Sequence, residues 1–267
     1  MRVSVLRKPL KRALHGTPFY RVAKRSWDLL RVMEDRAAFK AQYPSAEYVS
    51  YSKDRLSQLR SDGYYSQFGQ DYYLWNTVFR GLERPGFFVE VGANHPRANS
   101  NSLLLEQKGW SGVAFDPIAS FAPMWAEQRR TPFHNVAVSA KRETRKFVEI
   151  LADVGWEHQL SGFEGYLRPD DVAIHKSRTY DVECGPLADY IDDGQVVDIA
   201  FVDVEGAEEL VLAGIDFERV SPRYFLVENM SPPGGGRQVR DLLAKHGYRL
   251  VARVGATDDL FELDVQG

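Results

Sequence analysis

From Ser66 onward, short unbroken apolar runs alternate with patterns of helical period, and this alternation restricts the chain to a sheet whose strands are joined by crossover helices. The runs fall at Phe87–Val91, Gly112–Phe115, Phe133–Val138, Ile199–Val204, Tyr224–Val227, Tyr248–Val254 and Leu260–Val265. They are continuous rather than strictly alternating, as strands must be when both faces are covered, which predicts a parallel arrangement. Only a short break around Ala256–Asp259 separates the last two runs, too short for a crossover, so they are predicted to form a hairpin and one antiparallel pair at the end of the sheet. The expected fold is α/β, a doubly wound, seven-stranded and mostly parallel sheet. A helix is predicted over Gln70–Gly81. The stretch from Lys141 to Gly194 reads as an insertion with a strand near Lys146–Ile150 and a loop on the substrate side.

A chain of 267 residues has room for one such domain and an appended segment, not for two full-sized domains. The division is expected near residue 60, with a basic helical extension over 1–60 and the α/β domain over 61–267. Residues 1–40 hold eleven Lys or Arg against Asp28, Glu34 and Asp35, a net of +8 that leaves −11 on the remainder. An acidic body argues against nucleic acid as partner, because phosphate binding needs a cationic track at the site itself. Between Phe19 and Phe39, Val22, Ala23, Trp27, Leu30, Val32 and Met33 recur at helical spacing, which predicts an amphipathic helix. Packing against the main domain is its expected use; contact with a membrane surface or a partner protein is the second. Cys184 stands alone, so no disulfide framework is expected within the chain, and no apolar run reaches spanning length. With no secretory signal read at the amino end, the expected location is cytoplasmic, with the inner membrane surface reachable through the basic leader.

Three places carry carboxylates at predicted strand ends. Phe87-Phe-Val-Glu-Val-Gly-Ala-Asn94 is an apolar strand closing on Glu90, Gly92 and Asn94. There a glycine lets backbone approach a ligand at the carboxyl edge of an open sheet. A tight turn with no ligand would use the same glycine, and the G-x-G-x-x-G set is absent. One strand later Asp116 precedes Pro117, at a spacing from Gly92 that suits an acid accepting both hydroxyls of a ribose; Asp-Pro also starts ordinary loops. Asp203 and Glu205 end a third strand in Asp203-Val-Glu-Gly-Ala-Glu-Glu209. Glu208 and Glu209 read as acids that complement a helix start, whereas Asp203 precedes the turn and is poorly placed for that.

Taken in order, Ser66-Gln-Phe-Gly-Gln-Asp71, Phe88-Val-Glu-Val-Gly-Ala-Asn94, Ser100-Asn-Ser102 with Leu105-Glu106 and Gly109-Trp110, Asn135-Val-Ala-Val138, Asp203-Val-Glu-Gly-Ala-Glu208 and Val227-Glu-Asn229 resemble the FkbM family of methyltransferases. The resemblance implies the Rossmann-like class I methyltransferase sheet, S-adenosyl-L-methionine as cofactor, and methylation of hydroxyl groups on sugars or natural products. It further implies that Glu90, Gly92 and Asn94 line the cofactor pocket, that Asp116 holds the ribose, and that Ala137 and Val138 flank the adenine. The family more often has Glu where Asp116 stands, and Lys or a similar residue just before the Asp203 position, where this chain has Phe201 and Val202.

Methyl transfer from a sulfonium is an in-line displacement, so positioning supplies much of the acceleration, and a sugar hydroxyl also needs its proton removed. Asp203 is expected to do this, as base or as ligand of a divalent cation, Mg²⁺, together with Glu205 or Glu228. His158, in Trp156-Glu-His-Gln-Leu-Ser-Gly162, is the second candidate base; His95 and His134 stay open, and Trp156 and Trp110 are aromatic candidates for stacking on a sugar, with core packing the stronger reading for Trp110. Two further readings compete: a nicotinamide-dependent oxidoreductase on a similar sheet, disfavoured by the single glycine after the first strand, and a non-catalytic methyltransferase-like protein that docks through its basic leader.

Overall fold

The computed structural model describes residues 30, 32–151, 157–167, 175–229 and 236–264. A helix at 32–42 (α1) leads to a short strand, β1 (Glu47–Val49), and then to α2 (Lys53–Ser61) and α3 (Gln70–Tyr73). Next come β2 (Phe87–Val91), α4 (Leu103–Gln107), β3 (Ser111–Phe115), α5 (Phe121–Gln128), β4 (Phe133–His134), β5 (Ala137–Val138) and β6 (Glu143–Ile150). After β7 (Gly162–Phe163) and β8 (Ser177–Gly185) the chain forms β9 (Ile199–Val202), α6 (Glu208–Ala213), β10 (Tyr224–Glu228), α7 (Arg237–Lys245), β11 (Tyr248–Val254) and β12 (Asp258–Leu263).

The main sheet has eight strands in the order β1-β11-β12-β10-β9-β2-β3-β4. All run parallel except β12, which is antiparallel to both β10 and β11. The sheet is therefore mixed, and the eighth strand corrects the expected seven: Glu47–Val49 pairs with Ala252–Val254 on the outer edge. Three residues with one apolar neighbour pair carry too little pattern to read as a strand, so β1 exists through its partner. Part of the segment 1–60 is thus built into the same sheet as the rest.

Both faces of the sheet are covered, which explains the continuous apolar runs. Val89 and Val91 of β2, Ala200 and Val202 of β9, and Phe225 and Val227 of β10 join one core with Val211 and Leu212 of α6 and Val239 and Leu243 of α7. Their neighbours Phe88, Ile199, Phe201, Tyr224 and Leu226 face the other way, against Tyr73, Leu74, Phe79 and Leu105. Each such large side chain contributes roughly 1.5–3 kcal/mol by leaving water. The predicted helix over Gln70–Gly81 is a single α turn that widens into a π turn over Leu74–Val78, closed by Phe79 N–H donating to Leu74 O at 2.8 Å. The widening turns Leu74 and Phe79 together into the core, a packing demand that periodicity does not reveal.

The predicted strand Phe133–Val138 is two strands in two sheets. β4 ends the main sheet, whereas β5 pairs with β8 in a second sheet ordered β5-β8-β6-β7. That smaller sheet is the insertion, and it stands over one end of the main sheet's carboxyl edge. The final hairpin also turns earlier than predicted, so Asp258 and Asp259 lie inside β12. Of the predicted amino-terminal helix, residues 19–29 lie outside the described residues; beyond them Phe39 is fully buried, while Leu30, Val32 and Met33 are exposed. No helix among the described residues is long and apolar enough to cross a membrane.

Candidate active site

Three strand ends are drawn together by backbone contacts. Gly92 and Ala93 N–H both donate to Phe115 O at 2.9 Å, and Asp203 N–H donates to Val91 O at 3.0 Å. Gly92 has φ +82°, and a Cβ there would stand 1.7 Å from the Asp203 carbonyl oxygen. The group pressed against Gly92 is therefore the protein's own β9 end. Asn94, at φ 49°, takes the left-handed conformation that Asn tolerates, and its side-chain oxygen accepts from His95 N–H at 2.7 Å. The Asp116 carboxylate clasps this turn, accepting Asn94 N–H at 2.8 Å on one oxygen and Ile118 N–H at 2.9 Å on the other.

Across these strand ends runs a cavity of about 260 Å³. Glu90, Gly92, Asn94, Asp116, Ala137, Val138, Asp203, Glu205 and Glu228 all line it, so residues far apart in the chain converge on one space. At one end Ile118, Val136, Ala137, Val138, Phe147 and Phe163 make an apolar slot, with the last two coming from the small sheet. At the other end Asp203, Glu205, Glu228 and Asp258 form an acidic wall with Gln70 and Thr257. The second candidate base is His158. Its backbone lies in the 3-10 turn Glu157–Leu160, whose Gln159 and Leu160 do reach the cavity, and its side chain lies outside the described residues.

Burial governs the electrostatics, and the crowding of carboxylates adds to it. Asp203 opens to the cavity yet is enclosed elsewhere, and burial first, then the charges of Asp258 and Glu208, push its pKa up to about 7. Glu228, hydrogen-bonded to Asp203, is driven further up by burial and by the Asp203 charge, so the two share a proton. Burial likewise lifts Asp258 to about 7, against hydrogen bonds from Thr257 and Gln70, and Asp116 to about 6, against its two backbone donors. Glu90 is also raised by burial, opposed first by the Arg129 charge.

Glu208 is a correction. Read from sequence as an acid that merely complements a helix start, it is buried, and one carboxylate oxygen accepts Val204 N–H at 3.1 Å and Gly206 N–H at 3.0 Å. It wraps the turn that puts Glu205 at φ 54°, a strained setting for a residue with a Cβ. Among the described residues, the acids with ligand atoms within 4.8 Å of one another are Asp203, Glu208 and Glu228, so Glu208 takes the place given to Glu205 in the expected metal-binding trio. Glu209 is exposed. His95 Nδ1 accepts Arg97 and Ala98 N–H at 3.1 and 3.0 Å, and His134 stacks on Phe115, so both are engaged in structure. Trp110 is buried against Phe79; Trp156 lies outside the described residues.

Sequence reasoning missed Phe68, Gln70, Phe147, Phe163 and Asp258 as lining residues. Gln70 stood within a quoted block without an assigned role; its side chain donates to Asp258 Oδ2 at 3.2 Å across 188 positions. Asp258 carried a signal only as a hairpin residue.

The family model described as "Methyltransferase FkbM domain" matches residues 90–250. The chain belongs to this family. The match begins at Glu90 and spans the carboxyl ends of β2, β3, β5, β9 and β10, all of which line the cavity. Of the two readings of the sheet, methyl transfer rather than hydride transfer is the one this family carries. No curated protein matches the chain. Among solved structures, the chain is similar to a Burkholderia thailandensis 1,6-didemethyltoxoflavin-N1-methyltransferase, solved with bound 1,6-didemethyltoxoflavin and S-adenosylhomocysteine. The identity is 12%, with 86% of this chain and 89% of that chain covered and a TM-score of 0.39.

Proposed function

We propose that this methyltransferase uses S-adenosyl-L-methionine to methylate a sugar hydroxyl of a glycan, glycolipid or glycosylated natural product, with Asp203 as the general base. The observation that carries the reading is the convergence of Glu90, Asp116 and Asp203 on one cavity, inside the stretch matched by the family. The lining suits such a cofactor: an apolar slot for a base, Asp116 beside it for a ribose, and carboxylates where a cationic sulfonium and ammonium group would lie. When bound, the cofactor supplies an electrophilic methyl group. Glu90, Gly92 and Asn94 shape the middle of the pocket, Ala137 and Val138 flank the base, and Phe147 and Phe163 close the slot against water. Asp203, with a pKa near neutrality, takes the proton of the acceptor hydroxyl as the oxygen attacks.

Charge favours an uncharged polyol over nucleic acid as acceptor. The described lining residues include Glu90, Asp116, Asp203, Glu205, Glu228 and Asp258 and no Lys, Arg or His, so a phosphate entering the cavity would meet repulsion alone. The Mg²⁺ reading has less behind it, because one Glu208 oxygen already serves two backbone N–H groups. With Asp203 as base, a chelator leaves turnover unchanged; loss of activity in EDTA that Mg²⁺ restores would transfer the role to a metal. Asp203→Asn is expected to cut turnover by about 10²–10⁴ while cofactor affinity stays within severalfold. Retained turnover in that variant rejects the assignment.

A further inference from the structure

Arg129 lies outside the cavity, at the carboxyl end of α5, and its side chain is entirely buried. Its guanidinium donates to Glu106 Oε2 at 3.1 Å, Pro96 O at 2.9 Å, Ser100 Oγ at 3.3 Å and Ser102 Oγ at 2.8 Å, and it sits 4.3 Å from the centre of the Trp125 ring. Trp125 in turn donates from its indole N–H to Asn94 O at 2.7 Å. The loop that runs from Asn94 to Ser102 along the cavity wall is therefore moored to the end of α5 at several points.

Ser102 is the link to the site. Its Oγ accepts from Arg129, so its own hydrogen is left to donate, and it goes to the Glu90 carboxylate, which also receives the backbone N–H of Asn101 and of Ser102. Four groups thus stand in line from a buried ion pair to the cavity: Glu106, Arg129, Ser102 and Glu90. The charge that bears most on Glu90 is that of Arg129, while the Glu90 charge itself repels the carboxylates of Asp116 and Asp203. A buried carboxylate so outnumbered by its own kind needs a cation and oriented donors to keep its direction.

We propose that Arg129 is a positioning residue for cofactor binding, which acts through the Ser102 hydroxyl to hold the Glu90 carboxylate toward the cationic end of the cofactor. The proposal rests on the cofactor reading above. A purely structural role for the same contacts would shape the pocket for every ligand alike, whereas a role through the Glu90 charge touches only ligands with a positive group.

Two probes separate these cases: S-adenosylmethionine, and adenosine, which has the base and ribose but no sulfonium or ammonium. Calorimetry on the full chain is expected to show Ser102→Ala weakening S-adenosylmethionine about tenfold with adenosine within about twofold. In a Glu90→Gln background the same Ser102→Ala change is expected to add less than about twofold, because the group it acts through is gone. Arg129→Lys keeps the charge but loses the planar fork, and its expected loss for S-adenosylmethionine is intermediate. Equal weakening of both probes, or a Ser102→Ala effect that persists undiminished beside Glu90→Gln, overturns the proposal and leaves the cofactor reading intact. Wild-type protein that binds adenosine but not S-adenosylmethionine overturns both.

Discussion

At the scale of single residues, the acidic wall trades stability for function. Asp116, Asp203 and Asp258 have folded pKa values of about 6, 7 and 7, all above the ordinary carboxylate value. A raised folded value means that the native state holds protons the unfolded chain has released. The resulting stability is present at low pH and is lost as pH climbs through about 6 to 7. The melting temperature of the ligand-free protein is therefore expected to fall between pH 5 and pH 8, as read by calorimetry. Asp258→Asn keeps an oxygen for Gln70 and Thr257 and removes the charge, so at pH 8 it should stabilise by ~1–2 kcal/mol, about 2–6 °C. Turnover has the opposite sense. Asp203 works as base only when ionised, so the rate should drop about tenfold per pH unit below its pKa of about 7, and a flat profile from pH 5 to 8 would contradict the role. Gly92→Ala drives a Cβ into the Asp203 carbonyl and is expected to cost more than ~3 kcal/mol, seen as loss of soluble protein or a large fall in melting temperature.

Elements show where local pattern ran out. The sheet's central strands β2, β3, β9 and β10 were legible, because each is a run of apolar residues covered on both faces and ends in a distinctive acid or glycine. β4 and β5 were merged, since two strands of two residues separated by Asn135 and Val136 look like one apolar stretch. In the small sheet only the strand near Lys146–Ile150, part of β6, is legible in the sequence, and the rest of Lys141–Gly194 reads as a loop on the substrate side. In the structure the small sheet supplies Phe147 and Phe163 to the apolar slot, a wall formed by β6 pairing with strands on either side of it. On the proposed cofactor reading, Phe147→Leu should raise the KM for cofactor about fivefold with kcat nearly unchanged, because the side chain would then flank the base and touch no reacting atom. An effect on kcat alone would place this sheet at the acceptor instead.

At the scale of the whole molecule, the described residues before position 60 are tied into the main sheet and its far edge. Phe39 and Tyr43 pack over Arg240 and Arg253, whose guanidinium groups both reach the fully buried Asp259 beside the cavity's Asp258. Arg240 also donates to the Tyr43 hydroxyl at 2.9 Å, and β1 closes the sheet edge along β11. Removal of residues 1–60 would uncover two buried arginines and an unpaired edge, so the shortened chain should aggregate or melt well below the full one and lose turnover. A shortened protein with unchanged melting temperature would show that this region is only a docking leader.

The order of strand, glycine, acid and helix is written along the chain itself, and together with the family resemblance it sufficed for the α/β class, the family and nine of the residues that share the cavity, though not for the number of strands. These are local signals: each motif sits within one strand and the turn that follows. Tertiary structure alone decided what lies opposite each motif. Asp258 faces Gln70, Arg129 reaches Glu90 through Ser102, Phe163 joins the β5 strand's Ala137 in one apolar cluster, and β1 finds β11. Such partners meet because the sheet brings distant carboxyl ends to one edge, and the energy that selects them comes from burying charge against charge and ring against ring, which no short stretch of sequence contains.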